Sequence, residues 1–332
     1  MKRVLKGLGI LLGVLVLVAV GFVVHLNLTY DKDYSATPEP PIKASSDPEI
    51  IKRGEYVVHA VAHCSICHVE RKLTEGRKKG EFPAMTGGYV WDLPLFGHFE
   101  SKNITPDPET GIGNMSDGKL ARAIRAGVDR NGKLIPFMRL AVGQMSDEDL
   151  TAVVSYLRAQ PAVKVQRGDD RPAFFGKLVA KSMRPYADAP MTHVAPGAEP
   201  SIERGRYLAN GPGICVGCHS PRDPMKGFVL VGAPFSGEAH PEPDEYESGQ
   251  EFVIPNLTPD PETGHLKDWT EDSFVARFDK GRVFKGSKMP WECFLNLTES
   301  DRRSLYRYLR SLPPAKNVTG PTHRAVGWKP GT

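Results

Sequence analysis

The stretch Cys64-Ser65-Ile66-Cys67-His68 is built a second time as Cys215-Val216-Gly217-Cys218-His219. Two thiols three positions apart, followed at once by an imidazole, spell covalent haem attachment: each thiol can form a thioether with one vinyl group, and the His reaches the iron as an axial ligand. Structural zinc and a thioredoxin-like dithiol also use C-x-x-C, but two copies, each with its His, favour haem. The expectation is two covalently bound haem c groups, on Cys64, Cys67, Cys215 and Cys218, with His68 and His219 on the irons.

The two motifs lie 151 residues apart (215 − 64), and the same offset carries Arg53-Gly54-Glu55-Tyr56 onto Arg204-Gly205-Arg206-Tyr207. Asn-Ile-Thr-Pro-Asp-Pro-Glu-Thr-Gly from Asn103 recurs as Asn-Leu-Thr-Pro-Asp-Pro-Glu-Thr-Gly from Asn256, and the segment around Tyr156 recurs around Tyr308. An internal repeat of this kind is one unit used twice.

A chain of 332 residues accommodates two ordinary domains, and 33 Gly with 29 Pro point to loop-rich globular ones. A large covalent cofactor offsets the small apolar core such domains can bury. The net charge of +4 is modest and argues against a nucleic-acid partner. Four of the five cysteines sit in the motifs, so no disulfide framework is available within the chain. Cys293 reads as a small buried hydrophobe, with a reactive thiol or haem ligand as the minority reading.

Lys2, Arg3 and Lys6 precede a run from Gly7 to Val24 without a polar residue, long enough to approach the hydrocarbon thickness of a bilayer. No small-x-small cleavage site follows, so residues 1–30 read as an uncleaved signal anchor, with a cleaved signal as the alternative. The positive cluster stays in the cytoplasm and the rest of the chain lies on the other side, at the periplasmic face of a bacterial inner membrane. Residues 31–45 form a Pro-rich tether.

A helix is expected to begin at Ser46-Asp47-Pro48-Glu49 as a capping box and to run through Gly54 and Tyr56 to the motif. Residues 69–115 and 220–268 read as loops and short turns. Short helices follow near Asp117–Ala126 and Glu271–Lys280, closed by Gly127 and Gly281. Ser146 and Thr298 open the last helices, which end before Pro161 and Pro313. Residues 162–198 read as a packed linker, although Phe174 to Val179 could dock on a domain or a membrane surface. The tail from Lys316 carries no reading.

The second axial position separates an electron carrier from a catalyst. Met138 and Met289 differ by 151 and each lies 74 residues after its motif's first Cys (138 − 64 and 289 − 215), whereas Met85, Met115 and Met145 have no counterparts. Met138 and Met289 are therefore the expected axial ligands. His98 and His240 are the rivals for bis-His ligation but do not match under the repeat. His59, His63, His193, His265 and His323 read as ordinary surface or packed residues. Arg71, Lys72, Arg77, Lys78 and Lys79 form a basic cluster that would steer an acidic partner or simply be a solvated loop.

The order R-G-x-Y, C-x-x-C-H, N-[IL]-T-P-D-P-E-T-G, Met and a capped helix ending Y-L-R resembles the cytochrome c domains of membrane-bound cytochrome subunits of bacterial alcohol, aldehyde and sugar-acid dehydrogenases. The resemblance covers nearly all of residues 46–160 and 199–313. It implies a mainly α fold of two tandem cytochrome c domains, 46–161 and 199–315, with a linker at 162–198 and a tail at 316–332. Their first and last helices would cross at Gly54 and Gly205 against the Tyr156 and Tyr308 helices. It also implies electrons taken from a dehydrogenase or quinol-oxidising complex and passed to a cytochrome or oxidase. The best-known members carry three haem domains where this chain has two. Their C-H-T-P-R-D turn is similar to Cys218-His219-Ser220-Pro221-Arg222-Asp223, where Arg222 would meet a haem propionate; the first motif has Val69-Glu70-Arg71-Lys72 instead. No catalytic residue is assigned. The competing reading is a dihaem oxidoreductase of peroxidase or thiosulfate dehydrogenase type with one active haem.

Overall fold

The computed structural model describes residues 2–141, 144–185, 195–223 and 229–330, without the side chains of 139–141. Part of the segment connecting the two repeats, 186–194, lies outside the described residues, as does 224–228 in the loop after the second motif. The described residues are mostly helical, with three small antiparallel sheets among them.

Lys2–Thr29 is a single helix of 28 residues, the one helix among those described that is long and apolar enough to cross a membrane. Its far end packs against a second helix, Phe174–Ser182, and buries Leu26.

Each repeat builds its own core around a helix crossing. In the first half, Pro48–Tyr56 packs across Asp147–Ala159; in the second, Ile202–Asn210 packs across Glu299–Ser311. Gly54 and Gly205 are the crossing points, as the family resemblance implies. A Cβ on Gly54 would lie 2.0 Å from the Ala152 carbonyl oxygen, and one on Gly205 would lie 1.9 Å from that of Ser304. Only a residue without a side chain lets the helices approach this closely.

The helix starts follow their caps. Ser146 accepts from the Asp149 amide and Thr298 from the Asp301 amide, as their positions predict. At the first helix the cap is Asp47, which accepts from the Glu49 amide at 2.8 Å, and not Ser46. With Pro48 already in the first turn, the residue beside it takes the capping position. Asp117–Ala126 and Glu271–Asp279 are followed by Gly127 and Gly281 in the left-handed region.

The first helix continues past Tyr56 as a π-helical turn, Val57–Val61. Widening the turn changes which face each side chain takes. Val57 and Val58 enter the first core, while Ala60 and Val61 enter the second.

The stretches expected to be loops contain strands. Val90–Leu93 and Gly97–Glu100 form a hairpin, and Arg171–Pro172 adds a third strand to it. In the second half Glu238–Pro243 pairs with Gln250–Ile254, and His323–Ala325 adds the third strand. The tail that carried no sequence reading thus repeats the linker's role: in each half the chain beyond the last helix returns to close a sheet.

The Asn-x-Thr-Pro-Asp-Pro-Glu-Thr-Gly loops serve this return. Asn103 donates to the Val163 carbonyl at 2.8 Å and Asn256 to the Ala315 carbonyl at 2.8 Å. Asp107 and Asp260 each accept from the backbone and side chain of the following Thr. These motif residues brace the loop internally.

Candidate haem sites

The second motif is a one-turn helix, Cys215–Cys218, reached through Ile214 at φ 45°; the first, Cys64–Cys67, is reached through His63 at φ 40°. A left-handed step at a residue with a side chain is costly, and its repetition marks a turn that the surroundings hold in place. Both of these residues lie in the contact between halves. His63 packs edge-on against Phe294 at 5.6 Å, and Ile214 packs on the first core.

Beside the second motif is a cavity of about 550 Å³, within the span of small-molecule and cofactor sites, ~300–1,000 Å³. Cys215, Cys218, His219 and Met289 all line it, so four of the expected site residues converge on one space. Phe274, Phe278, Trp291, Leu305 and Leu309 supply apolar walls, and Val61 reaches in from the first half. Burial pushes the Cys215 thiol up to about 12 and holds the His219 imidazole down at about 4. A neutral imidazole is the form that binds iron. His219 Nδ1 is sealed off and faces the Pro255 carbonyl without a formed hydrogen bond, which leaves the other ring nitrogen for the cavity. These residues fit a covalently held haem.

At the first motif His68 Nδ1 and the Lys102 carbonyl are 2.9 Å apart, in the corresponding arrangement. Burial raises the Cys64 and Cys67 thiols to about 12. Met138 lies on the helix Pro136–Ala141, half-buried, and packs with Cys64 against the first core. Its neighbour Phe137 stacks on Trp91 at 4.7 Å. Met85, Met115 and Met145 are filler inside that core.

The other candidates fall out differently. Arg222 donates to the Gly217 carbonyl within its own motif at 2.8 Å and is not among the residues lining the cavity. Arg277 does line it, stacked 3.7 Å above the Trp291 ring. His240 lines the cavity with a side chain 93% exposed, next to Glu238, while His98 pairs with Asp92 at 2.6 Å. His265, read as an ordinary residue, is in the cavity wall; its counterpart in the first repeat is Ile112, so matching the repeats hides it. His193 lies outside the described residues.

Cys293 is fully buried, but away from the cavity. Its sulfur lies 3.5 Å from Ser65 Oγ and 3.6 Å from a guanidinium nitrogen of Arg77, against the first motif. The basic cluster is correspondingly less open than its sequence suggests: Arg77 turns inward, and Arg71 pairs with Glu245 of the second half at 2.7 Å.

No family model matches the chain. It is 31% identical over 298 residues to the cytochrome c subunit of a quinone-dependent alcohol dehydrogenase from Gluconacetobacter polyoxogenes, covering 83% of this chain and 58% of that one. It is 30% identical over 289 residues to a gluconate 2-dehydrogenase cytochrome c subunit from Pantoea cypripedii, covering 79% and 59%. A dihaem c-type cytochrome from Cereibacter sphaeroides is 27% identical over 296 residues, covering 82% of this chain and 91% of the relative. The chain thus spans a little over half the length of the dehydrogenase subunits it matches.

Proposed function

Kinship with dehydrogenase cytochrome c subunits implies covalently bound haem c, and from that premise we propose that this chain is a membrane-anchored dihaem electron carrier. Two tandem cytochrome c domains, 46–161 and 199–315, each hold one haem. Cys64, Cys67, Cys215 and Cys218 are the thioether sites, His68 and His219 the proximal ligands, and Met138 and Met289 the distal ones. The helix Lys2–Thr29 holds both domains at the periplasmic face of the inner membrane. The donor is a dehydrogenase and the acceptor a cytochrome or oxidase.

The observation that carries this reading is the convergence of Cys215, Cys218, His219 and Met289 on one apolar cavity. Cys215 and Cys218 would hold a haem there, with His219 and Met289 as the residues to bind its iron, and the group would supply one-electron transfer. The chain's own contribution is a largely apolar wall and a His219 held neutral by burial. Arg277 and Lys288 at the wall carry the positive charge available to the carboxylates of a haem.

The test is the weak red charge-transfer band of Met sulfur on ferric haem, recorded for the wild type, Met138→Ala and Met289→Ala. Each substitution is expected to remove about half the band. A high-spin haem in the wild type, or a substitution that leaves the band unchanged, would mean that the iron of that half is open or differently ligated, and the carrier reading would give way to an enzyme with its active haem there.

A further inference from the structure

We propose that the helix Phe174–Ser182 and the hairpin tip around Leu95 form a second membrane contact, seated in the leaflet from which the N-terminal helix emerges. The inference rests on reading Lys2–Thr29 as a membrane anchor.

The two helices are matched in depth. Phe174 packs edge-on against Phe22 at 6.3 Å, and Phe22 lies inside the apolar run. Three residues further on, Lys177 Nζ reaches Asn27 Oδ1 at 2.5 Å, and Lys181 Nζ reaches Thr29 Oγ1 at 2.6 Å. Asn27 and Thr29 are among the first polar residues after that run. The second helix therefore presents aromatic rings where the first is still apolar, and ammonium groups where it turns polar. This is the arrangement of a membrane–water interface: rings at the boundary, lysines reaching to phosphate level.

The hairpin shares this level. Ala173 N donates to the Phe96 carbonyl at 2.8 Å. Gly176 sits so close that a Cβ there would lie 2.0 Å from the same oxygen. Leu95, at the tip, is 62% exposed, and Phe174 and Phe175 are 39% and 40% exposed. Scattered apolar residues on a surface need no explanation, but these adjoin a helix that is itself apolar all round. A lipid leaflet continuous with that helix covers them all. The same hairpin carries Trp91, which stacks on Phe137 beside Met138, so the contact holds the first haem site near the membrane surface.

The experiment uses the full haem-loaded chain in phospholipid vesicles, with p-benzoylphenylalanine in place of Leu15, Leu95, Phe175 or Val326 in turn. Each sample is checked for an unchanged haem spectrum, irradiated, and analysed for lipid and protein adducts. Lipid adducts at Leu15, Leu95 and Phe175 well above those at Val326 are the expected result. Lipid adducts at Leu15, with none above the Val326 level at Leu95 and Phe175, overturn the second contact and leave the anchor standing. Adducts at Phe175 to protein also overturn it, because the patch would then be a protein interface. No lipid adduct at Leu15 sinks the anchor, and this inference with it.

Discussion

The Tyr56 hydroxyl donates to Asp301 across the boundary between the halves at 2.5 Å, and Tyr207 does the same to Asp149 at 2.6 Å. Each carboxylate is also held in its own half by a two-pronged arginine: Arg53 on Asp149 and Arg204 on Asp301, at 2.8 and 3.0 Å in both. Burial and the neighbouring carboxylate raise both tyrosines' pKa, so they stay neutral donors. Tyr56→Phe or Tyr207→Phe removes one bond to a charged acceptor, at a cost of roughly 1.5–3 kcal/mol. Chemical denaturation should show each loss, and in the dihaem carrier proposed above electron equilibration between the halves, followed by flash reduction, should slow as they loosen.

The helix crossings tolerate no side chain. Gly205→Ala puts a methyl against the Ser304 carbonyl and Tyr308 Cβ. The helices must separate, at a cost of about 1–3 kcal/mol or more. Gly54→Ala should cost a similar amount, read from the denaturation midpoint, whereas Gly327→Ala, which meets nothing, should be limited to the strain of its positive φ.

His59 is buried 2.8 Å from the Tyr156 hydroxyl and stacked on Phe82 at 4.3 Å, and burial lowers its pKa to about 4. The unfolded chain, with an ordinary histidine value of about 6.5, binds a proton there that the folded chain refuses. Stability from this group is therefore complete above the unfolded value and falls as pH drops towards 4, by roughly 3 kcal/mol in all. His59→Gln should flatten the stability–pH curve between these limits relative to the wild type.

Arg277 places a positive charge at the wall of the second cavity, stacked on Trp291. Arg277→Met keeps much of the length and removes the charge, so the oxidised haem becomes easier to hold. For the dihaem carrier proposed above, one potential should fall in a redox titration and the other stay unmoved.

Much of this architecture is legible in the residues themselves. The last helices begin at Ser146 and Thr298 because a capping hydroxyl followed by acidic residues is local chemistry. The shared offset brings out Met289, which lines the cavity with Cys215, Cys218 and His219. Three features stay hidden, each for a physical reason. The strands Arg171–Pro172 and His323–Ala325 are two and three residues long and pair with hairpins some 70 residues earlier, too short and too distant for any local pattern. His265 has no partner in the repeat. The bonds of Tyr56 and Tyr207 exchange partners between halves, and aligning one repeat on the other compares like with like without revealing what crosses over.

That exchange bears on ancestry. The same patch, Tyr with its Asp, appears on both halves and each docks on the other, so the contact is self-complementary. This is the form taken by the interface of a two-fold homodimer. A duplicated gene encoding such a protomer would already possess the contact that its fused product needs. Joining the copies fixes the partner, and the two halves are then free to differ, as they do at His265 and Ile112.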